Sequence, residues 1–480
     1  MIFIVAVAIL IIAPMIAQPQ TANQNPPVFA FINVNLISMS SERLLTGQTV
    51  LVRDGKIIEV GQSNRVKVPT DALRIDCRGK YLIPGLADMH VHLGFDQKDN
   101  EAFLKLFLVN GVTTVLNLFG FPMHLKMREQ VAKREIIGPT IYTSGPFVNE
   151  PSYKTREDVE RAVIEQKKAG YDFLKIHGEL SLPVYRHLLE TARRERLRVI
   201  GHAQRNLGMM TVLEEKQETI AHAEEYLYSY LGFKRNYPTE SLETAIMIRE
   251  ISEATARAET WVIPTLTVYK GIGFQVEDIE RALARAELKY VPARVKQGWI
   301  PANNTYVRRF KKEMAATFKS RYALLEKLVK GLSDARVRLL AGTDTPVPSV
   351  VPGFSLHDEL RDLVAAGLTP YEALKTATTN AAEFLNRADA GTIAAGKRAD
   401  MVLLDANPLV DIANTSRISG VMAGGRWMAR ADLQRMLDEV ARYAQEEKSE
   451  VKHESYDTGF FVSVLHSGKR FRPRAGAKRD

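Results

Sequence analysis

Hydrophobic positions along this chain follow two periods that alternate. Near the start, residues 29–34, 49–53 and 56–60 are short apolar or alternating runs, the mark of half-buried strands. Asp54-Gly55 between the last two predicts a tight hairpin, because both residues accept the left-handed backbone of a two-residue turn. A second β-rich stretch lies far downstream, at 398–404 and 418–427. Two β segments flanking a long middle predict one small β-sandwich domain built from both ends of the chain.

The middle, from about 82 to 385, alternates strand-like with helical runs. Strands are expected around 86–92, 111–118, 140–144, 171–177, 198–203, 219–223, 261–268 and 337–344. Between them, Thr155 and Asp158 form a capping box opening a helix that stops at Gly170. Thr369, Pro370 and Glu372 restart another helix after Gly367. Strands separated by helices predict a (β/α)8, TIM-like barrel. An open doubly wound sheet is the weaker rival, because no glycine-rich dinucleotide fingerprint follows the first strand. A charged, mostly helical insertion at 269–334 precedes the last strand and is the candidate lid over the barrel mouth. The domains predicted are a leader and linker (1–27), the small β domain (28–81 and 386–430), the barrel (82–385), and a helix with a basic tail (431–480).

Length and charge refine this picture. With 480 residues and 45% hydrophobic content, the chain can bury an extensive core. Of the formal net charge of +9, the last dozen residues hold six Lys/Arg and one Asp. The body is therefore only mildly basic, and nothing predicts a nucleic-acid groove. The tail reads as a solvated arm, with contact to anionic lipid or cell wall as the alternative. Cys77 is the only cysteine, so the chain has no intramolecular disulfide. Residues 2–16 are uncharged and almost all apolar, short for a membrane span and suited to an export signal. No Lys or Arg precedes that core, and Met15 is a poor residue for the cleavage site. The expectation is an exported protein starting near residues 18–27, or one anchored by an uncleaved leader.

Candidate chemistry begins at residues 84–92, Pro-Gly-Leu-Ala-Asp-Met-His-Val-His. His90 and His92, two apart on a strand, project side by side and make a chelating pair for a transition metal. Alone, such a pair is as readily two satisfied core histidines. Lys175, His202, His222 and Asp344 then fall at the ends of the fourth, fifth, sixth and eighth expected strands, the end where such barrels carry their sites. Each has a plain structural alternative: a snorkelling lysine, packed histidines, a turn aspartate. Six potential ligands at one predicted rim favour the metal reading.

These elements, with Gly342-Thr343-Asp344 and residues 391–405, resemble the amidohydrolase superfamily over roughly residues 28–430, within it the prolidase-like and imidazolonepropionase-related branch. The resemblance implies two divalent metal ions, most often zinc. His90, His92 and Asp344 would hold one, His202 and His222 the other, and Lys175 would bridge both as a carbamate derived from carbon dioxide. It implies a bridging hydroxide as nucleophile, with Asp344 passing its proton to the leaving nitrogen. Deaminase-like relatives generally lack the lysine and use one metal, so Lys175 favours the two-metal, amide-cleaving branch.

Further candidates surround this set. His177 shares a face with Lys175, and Arg205 and His357 are candidate substrate contacts. Tyr226 is the candidate oxyanion stabiliser, and Glu224 and Glu225 are candidates to receive a substrate ammonium. Each has a packing or surface role as its alternative. The expected function is a metal-dependent amidohydrolase acting on a small molecule or dipeptide, with a prolidase-type dipeptidase as the specific expectation. The alternatives are a cyclic amide, lactone or phosphotriester hydrolase, a one-metal deaminase, and a non-catalytic homologue. A homo-oligomer stays open.

Overall fold

A computed structural model describes residues 27–231 and 240–450, with side chains to residue 446. The predicted leader and basic tail lie outside the described residues. The small β domain is a sheet in which Arg426–Ala429, Ile418–Ala423, Met401–Leu404, Tyr81–Pro84, Phe29–Leu36, Leu45–Arg53 and Lys56–Gln62 follow one another. Leu73–Asp76 adds an eighth strand against Phe29–Leu36. The sheet is sewn from both chain ends, since Tyr81–Pro84 pairs with Phe29–Leu36 on one side and Met401–Leu404 on the other. Asp54 and Gly55 turn the expected hairpin with φ of 48° and 69°.

The barrel strands form two parallel groups. Leu86–Val91, Val112–Asn117 and Thr140–Thr143 make one; Phe173–Ile176, Arg198–Gly201, Thr219–Ala221 and Trp261–Ile263 make the other. Parallel bridges from Ser144 to Phe173 and from Val148 to Ile176 join them on one side. On the other, the segment 337–345 closes the ring. Leu340 N donates to Val262 O at 2.9 Å, Met89 N to Ala341 O at 2.9 Å, and His92 N to Thr345 O at 2.7 Å. Expected as a regular strand, this eighth segment pairs only through such isolated bridges, and its chain turns at Asp344, which has a left-handed backbone. Met89, Leu116, Phe173, Ile200, Ile263 and Leu340 form a buried apolar cluster drawn from six positions around the ring, so it is a packed core and not a pore.

The helices begin and end where their caps dictate. Arg156–Ala169 opens on the reciprocal Thr155–Asp158 box and closes at Gly170 with φ 87°. Pro370–Thr376 opens on the Thr369–Glu372 box. One expectation fails: the strand predicted over 261–268 stops at Ile263. Thr265 is left-handed and Leu266–Glu277 is helical, an apolar run that a buried helix satisfies as well as a strand does.

The insertion is tied down by the last helix, Arg430–Glu450. Arg294, within the insertion, donates to Asp99 at 2.5 Å and to the Tyr443 hydroxyl at 3.2 Å, and Tyr443 donates to Asp99 at 2.9 Å. Burial pushes the Asp99 carboxyl up against these bonds, so the carboxylate depends on its cation. A second lock lies beside the first strand. His124 accepts from Phe121 N at 3.1 Å through Nδ1 and donates through Nε2 to Gly94 O at 2.8 Å, which requires a neutral ring. Burial lowers its pKa to about 4.

Two stability predictions follow from these locks. Arg294→Ala should cost about 2 kcal/mol, seen as a lower calorimetric melting midpoint. Adding Asp99→Asn should restore part of the loss, since no stranded carboxylate then remains. His124 is neutral when folded and protonates at the ordinary histidine value of 6.5 when unfolded. Its contribution is therefore complete above pH 6.5 and is lost as pH falls towards 4. The slope is up to about 1.4 kcal/mol per pH unit. In urea titrations across that window, His124→Gln should show a shallower acid decline.

Candidate metal centre

His90 lies in Leu86–Val91 and His92 just beyond it, and their ring centroids are 5.2 Å apart. The closing segment brings Asp344 to them. Its N–H donates to His90 O at 2.6 Å, and its Oδ1 lies 2.7 Å from His92 Nε2 and 3.1 Å from His90 Nε2. One ligand atom from each of the three falls within 4.8 Å of the others. Burial works to raise the Asp344 carboxyl, but the two imidazoles outweigh it and hold the group well below the usual carboxylate range.

Asp344 has a φ of 55°, a backbone that costs a non-glycine residue about 1–2 kcal/mol. Asp88 holds it there. Fully buried, Asp88 accepts from Thr343 N at 3.0 Å, Thr343 Oγ1 at 2.6 Å and His90 N at 3.3 Å. One carboxyl thus clamps the strand bearing the histidines to the segment bearing the aspartate. Burial pushes it up to about 7, against the bonds from Thr343 and His90.

His222 closes the other side. Its centroid is 4.7 Å from that of His90 and 4.7 Å from that of His202. Thr265 Oγ1 donates to Pro264 O at 2.8 Å, so it accepts from His222 Nδ1–H at 2.8 Å. That bond fixes the tautomer and leaves the Nε2 lone pair for a ligand. His202 Nδ1 lies 3.3 Å from Glu225 Oε1. Burial holds both rings well below their ordinary pKa, hence neutral, as metal ligation requires.

Lys175 sits among these rings, fully buried on Phe173–Ile176, with no hydrogen-bond partner for Nζ. A snorkelling surface lysine is therefore excluded. Burial lowers its pKa to about 8, opposed by Asp344 and Glu225. The close approach of the strands bearing Lys175 and His202 depends on Gly201, the last residue of Arg198–Gly201. A Cβ there would lie 1.9 Å from Ile176 O and 3.0 Å from Lys175 Cδ. The donor set fits divalent metal: neutral imidazoles, an ionised carboxylate, and buried Nδ1 atoms of His90 and His92 without hydrogen-bond partners.

Above this floor opens a cavity of about 350 Å³. His177 and Arg205, the candidate substrate contacts, both line it. His177 stacks on Phe147 at 4.6 Å, and Arg205 gives Nε to Glu225 Oε2 at 3.0 Å and Nη2 to Oε1 at 2.5 Å. Two candidates lie elsewhere. Tyr226 is packed in the core with its hydroxyl 3.2 Å from Thr255 Oγ1; the wide π-helical turn Leu227–Leu231 that follows places Tyr228 on the cavity instead. His357 is buried away from the cavity, its Nδ1 2.9 Å from Thr415 Oγ1 in the short helix Ile412–Ser416.

Sequence reasoning passed over Asp88, Thr265, Tyr269 and Tyr306. Asp88 had a visible signal, a charged residue on an otherwise apolar strand two positions before His90. Tyr269 and Tyr306 come from the insertion, which lines one side of the cavity with Ile272, Phe310 and Phe318.

Comparison with known proteins agrees with this architecture. The Amidohydrolase family model matches residues 81–428. Adenine deaminase of Ligilactobacillus salivarius is 22% identical over 375 residues, covering 78% of this chain and 54% of the relative. The chain thus spans about half the length of that curated relative. 5-Methylthioadenosine/S-adenosylhomocysteine deaminase of Caldanaerobacter subterraneus subsp. tengcongensis is 24% identical over 461 residues, 86% of this chain and 97% of the relative. Among solved structures, a Xaa-Pro dipeptidase with methionine bound in its active site superposes with a TM-score of 0.64 at 16% identity, covering 84% of this chain and all of that one.

The Asp88 clamp is testable without knowing the substrate. Thr343→Val removes the 2.6 Å bond while keeping the side-chain shape. Metal affinity in a competition titration should fall roughly 10-fold or more, with the circular dichroism spectrum unchanged.

Proposed function

This chain belongs to the amidohydrolase family, hence to the hydrolases acting on carbon–nitrogen bonds, and from that premise we propose that it cleaves an amide bond in a small molecule or dipeptide. His90, His92 and Asp344 would hold one divalent ion, His202 and His222 a second, and Lys175 would join them as a carbamate. Bound ions of this kind supply Lewis-acid polarisation of a carbonyl and a deprotonated water at neutral pH. The chain's own groups do the rest. The Asp344 carboxylate takes the proton of the attacking water and delivers it to the leaving nitrogen. Thr265 holds the His222 tautomer.

The observation that carries this reading is the Lys175 amine, wholly buried and without a hydrogen-bond partner among three histidines. A cationic lysine there repels metals and leaves a charge unpaired. A carbamate there would turn the same side chain into an anion with two oxygens able to serve as ligands. The dipeptidase structure with the same fold supports an amide substrate. The deaminase relatives favour a second reading, removal of an amino group from a heterocycle. Export, read from residues 2–16, is part of the proposal.

Elemental analysis should find two metals per chain, and mass spectrometry under native conditions a carbon dioxide adduct on Lys175. Lys175→Ala should lose metal and at least 100-fold in activity on Xaa-Pro and N-acyl amino acid amides, with partial recovery on adding a short carboxylate. Unchanged metal content and activity in that variant, or ammonia release from adenine-type substrates alone, would sink it.

A further inference from the structure

The short run after His222 carries two adjacent carboxylates that the fold treats differently. Glu225 is spent: both oxygens receive the Arg205 guanidinium, and Oε1 also faces His202. Glu224 is 9% exposed and lines the cavity beside Lys175 and Asp344, and its Oε2 is buried with no hydrogen-bond partner. A carboxylate in that state is costly unless something in the cavity pairs with it.

Its surroundings narrow what that something is. The charge of Glu224 is felt by Tyr228, Tyr269 and Tyr306, three phenols that line the same cavity from two different parts of the chain. Arg205, whose charge acts on Glu224, is already divided between Glu225 and the face of the Tyr228 ring, 4.1 Å away. A buried carboxyl that shares its cavity with three phenol rings attracts a nitrogen cation, whose charge favours the carboxylate form that burial disfavours. An anionic or purely apolar group at the same place would leave Oε2 unpaired.

We propose that Glu224, with the rings of Tyr228, Tyr269 and Tyr306, is a cation subsite that selects substrates bearing a protonated amine next to the scissile amide. This deepens the amide-hydrolase reading and rests on it. The amine comes either from a free α-ammonium or from a basic side chain, and both present the same N–H donors to Oε2.

The test compares matched probes on the metal-loaded enzyme. Dipeptides with a free amino terminus are set against their N-acetyl forms, and lysine-containing dipeptides against their norleucine isosteres. Wild-type enzyme should favour the charged member of one pair at least 10-fold in kcat/KM, and the pair that responds names the source of the amine. In Glu224→Gln that preference should collapse through a rise in KM for the charged probe. Tyr306→Leu, a change within the insertion, should weaken the same preference and serves if the first variant fails to fold. Equal rates for charged and neutral probes in wild type would overturn the subsite while leaving amide hydrolysis intact. A preference unchanged in Glu224→Gln, or loss of metal from that variant, would overturn it too, the latter by placing the carboxylate with the ions. Failure to cleave any amide would instead count against the function on which the subsite rests.

Discussion

The structure depends on keeping one amine dry. Lys175 lies on a barrel strand with no exposure and no acceptor against its nitrogen, a position that a folded chain tolerates only if something offsets it. The ring of strands makes the position possible, and the histidines around it make it chemically useful. Much else reads as support for that arrangement. Gly201 lets two strands approach, Thr265 sets an imidazole tautomer, and Asp88 clamps the closing segment to the first strand.

That support is concentrated where backbone conformation is least comfortable. His222, Thr265 and Asp344 all have positive φ, at 74°, 48° and 55°. Each such residue costs about 1–3 kcal/mol and persists only where its neighbours over-determine it. Here they do: His222 N is held by Ile263 O at 2.8 Å, and Asp344 N by His90 O at 2.6 Å. Strand ends that would otherwise continue straight are bent so that their side chains converge. The irregular eighth segment turns at one of these residues, Asp344.

Much of this was legible in the sequence, for identifiable reasons. His90, His92, Lys175, His202, His222 and Asp344 stood out because each interrupts or ends an apolar run, and strand periodicity placed those ends at one rim. Caps at Thr155 and Thr369 were readable because local side-chain bonds decide them. Readings failed where contact depends on a partner distant in sequence. Tyr226 and Tyr228 are two apart, and only the winding of one short turn decides which enters the cavity. His357 looked close to the mouth along the chain, yet its ring packs against Thr415. The strand over 261–268 was overextended because an apolar run alone does not separate a strand from a buried helix.

The sheet stitched from both termini carries a consequence for biogenesis. Tyr81–Pro84 obtains one neighbour from residues already made and the other from Met401–Leu404, some three hundred positions later. Until synthesis reaches that point, one edge of the half-built sheet offers bare peptide groups to any strand that comes near. Maturation of the amino-terminal half therefore waits on the carboxy-terminal half, and a nascent chain interrupted before residue 401 would emerge with an adhesive rim.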